Sequence, residues 1–202
     1  MHHFQYKDHQ LYCEAMPVEE VAKAVGTPFY LYSYQTLVRH FTVFHQAFDP
    51  ISHLVCFSAK ANSNLALIRL FVRLGGGVDV VSDGELYRSL KAGADPRKIV
   101  FSGVGKREDE IAYALESGIL MFNVESFEEL RVMNAVAGRM GKKAPIAIRV
   151  NPDIDPKTHP YISTGLKKNK FGIDIQRAPS AYREASRLPH LPGDFALEDH
   201  LH

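Results

Sequence analysis

The chain has 202 residues, and its 24 Lys and Arg residues nearly balance its 23 Asp and Glu residues, for a formal net charge of +1. With 46% hydrophobic and 23% charged residues, the composition predicts a globular protein of one domain or slightly more, not a disordered chain. No nucleic-acid partner is expected, because the basic excess typical of such proteins is absent. No membrane partner is expected, since no apolar run approaches the roughly 18 residues that a membrane helix needs.

The N-terminus and the cysteines indicate the cellular compartment. The first residues contain no apolar stretch of the kind found in a secretory signal peptide. Cys13 and Cys56 form no CxxC pair and are too few for a disulfide framework. We therefore predict a protein of the reducing cytoplasm.

In chain order, residues 1–29 predict a strand or extended arm and then a short helix, outside the repeat that follows. From about residue 30 the chain alternates apolar strands with amphipathic helices. Ser33 precedes the first of these helices, and Gly75 ends the next. Two further helices begin with capping-box patterns, Ser82 with Glu85 and Ser126 with Glu129. Buried strands are predicted at residues 54–57, 78–81, 99–101, 119–124 and 146–150.

Five strands that alternate with helices predict an α/β protein with a parallel sheet covered on its faces. A doubly wound open sheet and a (β/α)8 barrel both fit this pattern. A complete barrel needs roughly 200 to 250 residues, whereas this chain has five clear strands and a weak sixth near residues 195–197. Periodicity alone leaves the two architectures open. Residues 151–175 predict a long polar loop, of a length that is usually functional.

Three charged residues occupy positions where parallel α/β proteins place their active sites. Lys60 directly follows the first strand of the repeat, and the carboxyl ends of such strands face the site. A lysine there can attack a carbonyl carbon, although a solvated loop lysine is the commoner case. Asp79 and Arg149 lie inside predicted strands, so we expect them to point into a barrel interior or active site. They can share one buried polar network, but a structural ion pair explains Asp79 equally well.

Other candidates are weaker. The segment from Ser102 to Lys106 resembles a phosphate loop but lacks the first glycine and the Ser or Thr of a P-loop. We interpret it as a tight turn whose lysine is either functional or structural. Glu125 is a further acid at a strand end. His200 and His202 have no evident third ligand, so no metal site is predicted.

The segment Phe57-Ser58-Ala59-Lys60-Ala61-Asn62 resembles the cofactor-lysine motif of fold-type III pyridoxal phosphate enzymes, which include alanine racemase and the ornithine, arginine and diaminopimelate decarboxylases. Further segments narrow the resemblance to the diaminopimelate decarboxylase family. They run in order from about residue 10 to about residue 191 and include residues 26–32, 77–86, 122–126, 149–153 and 170–173.

This resemblance implies a (β/α)8 TIM-type barrel of the alanine racemase-like kind, truncated here after about five or six strands. It implies that Lys60 binds pyridoxal 5'-phosphate and that the protein decarboxylates meso-diaminopimelate, an amino acid substrate, to L-lysine. Asp79 matches an acid near the cofactor lysine, and Arg149 matches an arginine that organises the pocket. His200 matches, with a one-residue shift, the histidine that stacks on the cofactor ring.

The resemblance also implies the wider organisation. Residues 1–29 would belong partly to a second, β-rich domain, and residues 30–202 would form an incomplete pyridoxal phosphate-binding barrel. The family implies a homodimer with shared active sites.

The family's members are roughly twice as long, and their phosphate-binding glycine turn and later acidic segment are missing here. We therefore expect the 202-residue chain alone to be inactive. Alternatives are decarboxylation of ornithine, arginine or carboxynorspermidine, or a non-catalytic cofactor-binding barrel.

Overall fold

The computed structural model describes residues 2–152 and 171–192. The chain divides into two compact units, Met1–Val55 and Cys56–His202. None of the helices in the described ranges is long and apolar enough to cross a membrane.

The first unit contains a three-stranded antiparallel sheet and two helices. The strands β1 (Phe4–Lys7), β2 (Gln10–Cys13) and β3 (Met16–Pro17) pair in chain order. Asp8 and His9 join β1 to β2 with φ angles of 48° and 62°, the left-handed backbone that a two-residue hairpin turn requires. Helix α1 (Val18–Val25) follows directly, so the arm and short helix predicted for residues 1–29 are a small sheet and a helix.

Helix α2 (Tyr34–Gln46) ends the first unit. The hydroxyl of its N-cap residue, Ser33, accepts a hydrogen bond from the Thr36 backbone N–H at 3.0 Å. This bond satisfies one of the N–H groups that a helix start leaves without an intrahelical partner. The predicted helix start after Ser33 is confirmed.

The second unit is built on a five-stranded parallel sheet. Its strands pair in chain order, each with the next. They are β4 (Cys56–Ser58), β5 (Gly77–Val80), β6 (Ile99–Phe101), β7 (Met121–Val124) and β8 (Ile146–Ile148). Each of the five predicted strands is found, with its ends shifted by at most two residues.

Four helices connect these strands: α3 (Leu65–Arg73), α4 (Asp83–Lys91), α5 (Glu108–Ser117) and α6 (Phe127–Arg139). Their apolar faces and one face of the sheet share a single buried core. The side chains of Phe101, Phe122, Ile68, Leu86 and Leu130 are among the largest that are fully buried there. Burial of this kind is the main favourable term in folding.

The two predicted capping boxes form only in part. Ser82 and Ser126 each accept a hydrogen bond from the N–H of the glutamate three residues later. Each glutamate then accepts from the N–H that precedes the N-cap residue: Glu85 from Val81 at 2.8 Å, and Glu129 from Glu125 at 2.6 Å. A capping box would place that second bond on the N-cap residue itself. The glutamates therefore fasten the end of the preceding strand to the helix.

Side chains alternate between the two sheet faces. On β5, Asp79 lies between two fully buried valines that belong to the helix-covered core. On β7, Asn123 lies between Phe122 and Val124, which belong to the same core. Because successive strand residues point to opposite faces, Asp79 and Asn123 lie on the face away from the helices.

The strand order decides between the two architectures. A doubly wound sheet reverses its strand order at a switch point, whereas β4 to β8 run in one direction without reversal. A barrel of βα units is wound in this way. The described part of the second unit is thus a five-stranded portion of a TIM-type barrel.

The region after β8 differs from the prediction. The predicted strand 146–150 is divided at Arg149, and Val150–Asn151 forms a separate strand, β9. It pairs in parallel with β10 (Ile173–Asp174), so both ends of the predicted loop 151–175 are strands. Helix α7 (Ala178–Ala185), which the sequence did not predict, follows. The weak sixth strand near residues 195–197 lies outside the described residues.

Candidate active site

Lys60 lies at the carboxyl end of β4, in the short 3-10 turn Ala59–Ala61. The turn contacts β5, the neighbouring strand. The Lys60 side chain is exposed, and within the described residues its amine has no ion pair or hydrogen bond. An accessible primary amine therefore projects from the end of the sheet where parallel α/β proteins place their active sites.

Asp79 is held by hydroxyls from the strands on both sides. Its backbone is in register with Ser58 of β4, and the Ser58 Oγ lies 3.3 Å from its Oδ2. Ser102, directly after β6, donates to Oδ1 at 2.5 Å. One hydrogen bond to each oxygen fixes the plane of the Asp79 carboxylate. Lys60 follows two residues after Ser58, the register partner of Asp79.

Asn123 extends this group of polar side chains to β7. Its Nδ2 donates to the Ser102 Oγ at 3.0 Å. Asn123 is 1% exposed and Ser102 7% exposed, so both polar groups are buried within the sheet. A buried polar group without a partner costs free energy, and here the Asn123 Nδ2 and the Ser102 hydroxyl each have one.

Lys106 is a structural lysine in this fold. Its Nζ donates to the backbone oxygens of Gly103 and Asn123, at 2.9 and 2.6 Å, and lies 2.8 Å from Glu129 Oε1. The side chain is 1% exposed. Three acceptors use the three donors of an ammonium group, so Lys106 joins the β6–α5 loop to β7 and α6. Of the two roles predicted for this lysine, the structure supports the structural one.

Arg149 and Glu125 form an ion pair between β8 and β7, with 2.9 Å between Nη1 and Oε1. The Arg149 guanidinium also lies over the Phe171 ring, 5.4 Å from its centroid. The other oxygen of Glu125, Oε2, is buried and has no hydrogen-bond partner among the described residues. The pair places a partly accessible guanidinium just beyond the end of β8.

The structure brings Asp79 and Arg149 onto one network, but not into direct contact within the described residues. Hydrogen bonds run from Asp79 through Ser102 to Asn123, whose backbone oxygen accepts from Lys106. From Lys106 they continue through Glu129 and the backbone N–H of Glu125 to Arg149. The predicted shared network therefore exists through intermediates, and it crosses the ends of all five strands.

Sequence reasoning missed several of these partners. The motif segments contain Ser58, Ser102 and Asn123, but the sequence predicts no role for these three residues. One signal was available, since Asn123 is an amide inside an apolar run that was predicted as a buried strand. Glu129 was assigned only to a helix cap. His200 lies outside the described residues.

The model of the family described as "Pyridoxal-dependent decarboxylase, pyridoxal binding domain" matches residues 34–192. The chain is 53% identical over 191 residues to the diaminopimelate decarboxylase of Haemophilus influenzae, covering 95% of this chain and 46% of that protein. It is 53% identical over 192 residues to that of Vibrio cholerae, with the same coverage. The chain thus spans less than half the length of these curated relatives.

Solved structures give the same assignment. The diaminopimelate decarboxylase of Helicobacter pylori, complexed with L-lysine, is similar with a TM-score of 0.83 at 45% identity, over 91% of this chain and 48% of that one. The diaminopimelate decarboxylase of M. jannaschii, also with L-lysine, has a TM-score of 0.83 at 37% identity, over 93% and 45%. The cofactor of the matching domain is pyridoxal phosphate. This chain belongs to the pyridoxal-dependent decarboxylases, through their pyridoxal-binding domain.

Proposed function

We propose that the chain supplies the cofactor-lysine half of an enzyme that decarboxylates meso-diaminopimelate to L-lysine. The observation that carries this proposal is the placement of Lys60. Its accessible amine lies just beyond the carboxyl end of β4, and Ser58, two residues before Lys60, is the register partner of Asp79 on the neighbouring strand. The relatives at about half identity, which are named diaminopimelate decarboxylases, support the choice of substrate.

The described residues fit pyridoxal phosphate. Attachment of this cofactor needs a primary amine that is accessible and not committed to another contact, and Lys60 meets both conditions within the described residues. Lys106, in contrast, is buried with three acceptors around its amine. The contacts of the two amines therefore favour Lys60 over Lys106 as the lysine that attaches the cofactor.

When bound, the cofactor supplies an electron sink for the pair left behind as carbon dioxide departs. Lys60 would hold the cofactor at the end of β4 through its side-chain amine. When not engaged in that bond, the same amine would be the group that delivers or accepts a proton at the reacting carbon. Its position on a short turn next to the rigid sheet keeps it near that carbon.

Asp79 and Arg149 would provide fixed charges around Lys60. Asp79 presents a negative charge whose orientation Ser58 and Ser102 determine. Arg149 presents a positive charge that Glu125 orients, and a guanidinium is suited to bind carboxylate or phosphate groups. We propose both as cofactor-binding residues, together with His200 as the residue that stacks on the ring.

Several further features belong to the same proposal. The protein would act in the cytoplasm as a homodimer, in the pathway that makes lysine. Cys13 and Cys56 form no disulfide within the described residues, which supports a reducing compartment. Residues 1–29 would contribute to a second, β-rich domain, and residues 30–202 to the barrel.

A chimera tests the proposed reaction. In it, this chain replaces the 191 matching residues of the Haemophilus influenzae relative, and carbon dioxide release is measured from meso-diaminopimelate, ornithine and arginine. We expect release from meso-diaminopimelate and its loss in Lys60→Arg, which keeps the charge but cannot form the cofactor bond. Lys91→Arg, at an exposed lysine on α4, is the matched control.

A chimera that takes up the cofactor but releases no carbon dioxide from meso-diaminopimelate would contradict the proposal. The 202-residue chain is assayed in parallel. That it is inactive by itself stays a prediction, and robust turnover by it would overturn that prediction.

A further inference from the structure

Three side chains at neighbouring positions along β5, β6 and β7 form a chain of hydrogen bonds in which each donor points towards Asp79. Ser102, the middle residue, lies directly after β6. The Asn123 Nδ2 donates to the Ser102 Oγ, and the Ser102 Oγ donates to the Asp79 Oδ1. Asn123 and Ser102 follow neighbouring positions in the β6–β7 register, directly after the pair Phe101 and Phe122. We call these three residues the Asn123 relay.

The direction of the relay follows from counting protons. A serine hydroxyl has one proton to donate, and a carboxylate only accepts. If the amide oxygen of Asn123 faced Ser102, that oxygen and the Asp79 carboxylate would compete for the one proton. With the amide NH₂ facing Ser102, every contact has one donor and one acceptor. The relay thus delivers the Ser102 proton to Asp79 and to no other group in it.

The relay is costly to bury unless it is complete. Asn123 and Ser102 are almost inaccessible, on the sheet face that carries Asp79. Removing one partner of a buried hydrogen bond leaves the other unsatisfied, and bonds to charged groups are the stronger ones. A side chain of similar size without polar atoms would fill the same space without this cost. The arrangement is therefore explained by what it does for Asp79.

We propose that Ser102 and Asn123 are positioning residues for cofactor attachment at Lys60, acting through the Asp79 carboxylate. This inference rests on the proposed function, in which Lys60 carries the cofactor. The turn with Lys60 contacts β5, and Ser58, two residues before Lys60, is the register partner of Asp79. The free Lys60 amine forms no ion pair with this carboxylate within the described residues, so the proposal places their interaction in the cofactor-attached state, where opposite charge stabilises a cation on the lysine nitrogen.

The test uses the chimera with the Haemophilus influenzae relative, which supplies the second half of the enzyme, and measures the equilibrium of pyridoxal phosphate attachment by the visible absorbance of the lysine adduct. Ser102→Ala is expected to weaken attachment by about tenfold or more, because a hydrogen bond to a charged group is lost. Ser102→Thr keeps the hydroxyl and is expected to restore most of it. Ser89→Ala is the matched control, since Ser89 is also buried but donates to the Glu85 backbone oxygen within α4.

A double-mutant cycle separates the relay from general packing. Asn123→Ala acts through Ser102, so its effect on attachment should nearly vanish in the Ser102→Ala background. Thermal unfolding of each variant without cofactor reports on structure alone. If the relay positions Asp79, Ser102→Ala weakens cofactor attachment much more than Ser89→Ala does. This difference should be larger than the difference between their unfolding midpoints can explain.

Two failures are distinguishable. If the chimera without substitutions attaches the cofactor at Lys60 and the Ser102→Ala variant attaches it equally well, the positioning role of the relay is wrong. The proposed function then stands. The same conclusion follows if Ser102→Thr attaches the cofactor no more strongly than Ser102→Ala. It also follows if the effects of Ser102→Ala and Asn123→Ala on attachment add in the double variant. If the chimera without substitutions forms no adduct at Lys60, the relay and the proposed function both fall.

Discussion

Lys106 and Glu129 form a buried ion pair, with 2.8 Å between Nζ and Oε1 and side chains that are 1% and 9% exposed. Lys106 lies in the loop before α5, and Glu129 lies in the first turn of α6. Because the other oxygen of Glu129 accepts from the Glu125 backbone, the pair also supports the strand end that holds Arg149.

Replacing Lys106 alone should therefore be severe. Lys106→Met leaves the Glu129 charge buried without its partner, and such changes cost about 3 to 5 kcal/mol. The double variant Lys106→Met with Glu129→Gln buries no charge and keeps an acceptor for the Glu125 N–H. We expect it to recover a large part of the loss, as measured by denaturant unfolding. Equal destabilisation of the single and double variants would show that the charge pair is not the cause.

Gly172 allows Arg149 to lie next to β10. Its φ is +82°, and a Cβ added there would lie 2.7 Å from the Arg149 backbone oxygen. Gly172→Ala should thus displace the backbone and cost about 2 kcal/mol or more, combining positive φ with a close contact.

Gly141→Ala provides the matched control. Gly141 has a φ of +63° but nothing within 4 Å of its added Cβ, so only the cost of positive φ applies, about 1 kcal/mol. Thermal unfolding of both variants measures the difference. Similar losses in both would mean that the contact with Arg149 is unimportant.

Glu14 gives the first unit a dependence on pH. Its carboxylate accepts from the Gln35 backbone N–H and the Ser33 hydroxyl, both at 2.7 Å, and these bonds lower the pKa of Glu14. A carboxyl with a lowered folded pKa adds stability that is present above its unfolded pKa, about 4.3 for Glu. That stability is lost as the pH falls through the folded pKa.

We expect the unfolding midpoint to fall more steeply with acid in the native chain than in Glu14→Gln. The glutamine still accepts hydrogen bonds but does not titrate in this range. Thermal scans over a series of acidic pH values compare the two. Identical acid profiles would show that Glu14 makes no contribution.

The local parts of this structure were predictable from sequence. Strand β6 occupies the predicted residues 99–101 because a short apolar run carries its own signal. The position of Asp79 inside a predicted strand predicts a side chain that points into a barrel interior or active site, and in the structure Asp79 lies on the sheet face away from the helices. These features depend on neighbours in the sequence.

The non-local parts were not predictable. The pairing of β9 with β10 depends on residues that are more than 20 positions apart, and so does the ion pair of Lys106 with Glu129. The sequence allows Lys106 either a functional or a structural role, because its loop contains no signal for its partner Glu129 on α6. The relay was missed for the same reason, as its three members lie on three strands.

The attachment of the cofactor to Lys60 is the central claim, and one measurement tests it most directly. The chimera with the Haemophilus influenzae relative is incubated with pyridoxal phosphate, the adduct is reduced with borohydride, and the labelled lysine is located by peptide mass spectrometry. We predict a label on Lys60 that disappears in Lys60→Arg and persists in Lys91→Arg. A label on Lys106, or one spread over exposed lysines and unchanged in Lys60→Arg, would contradict this account.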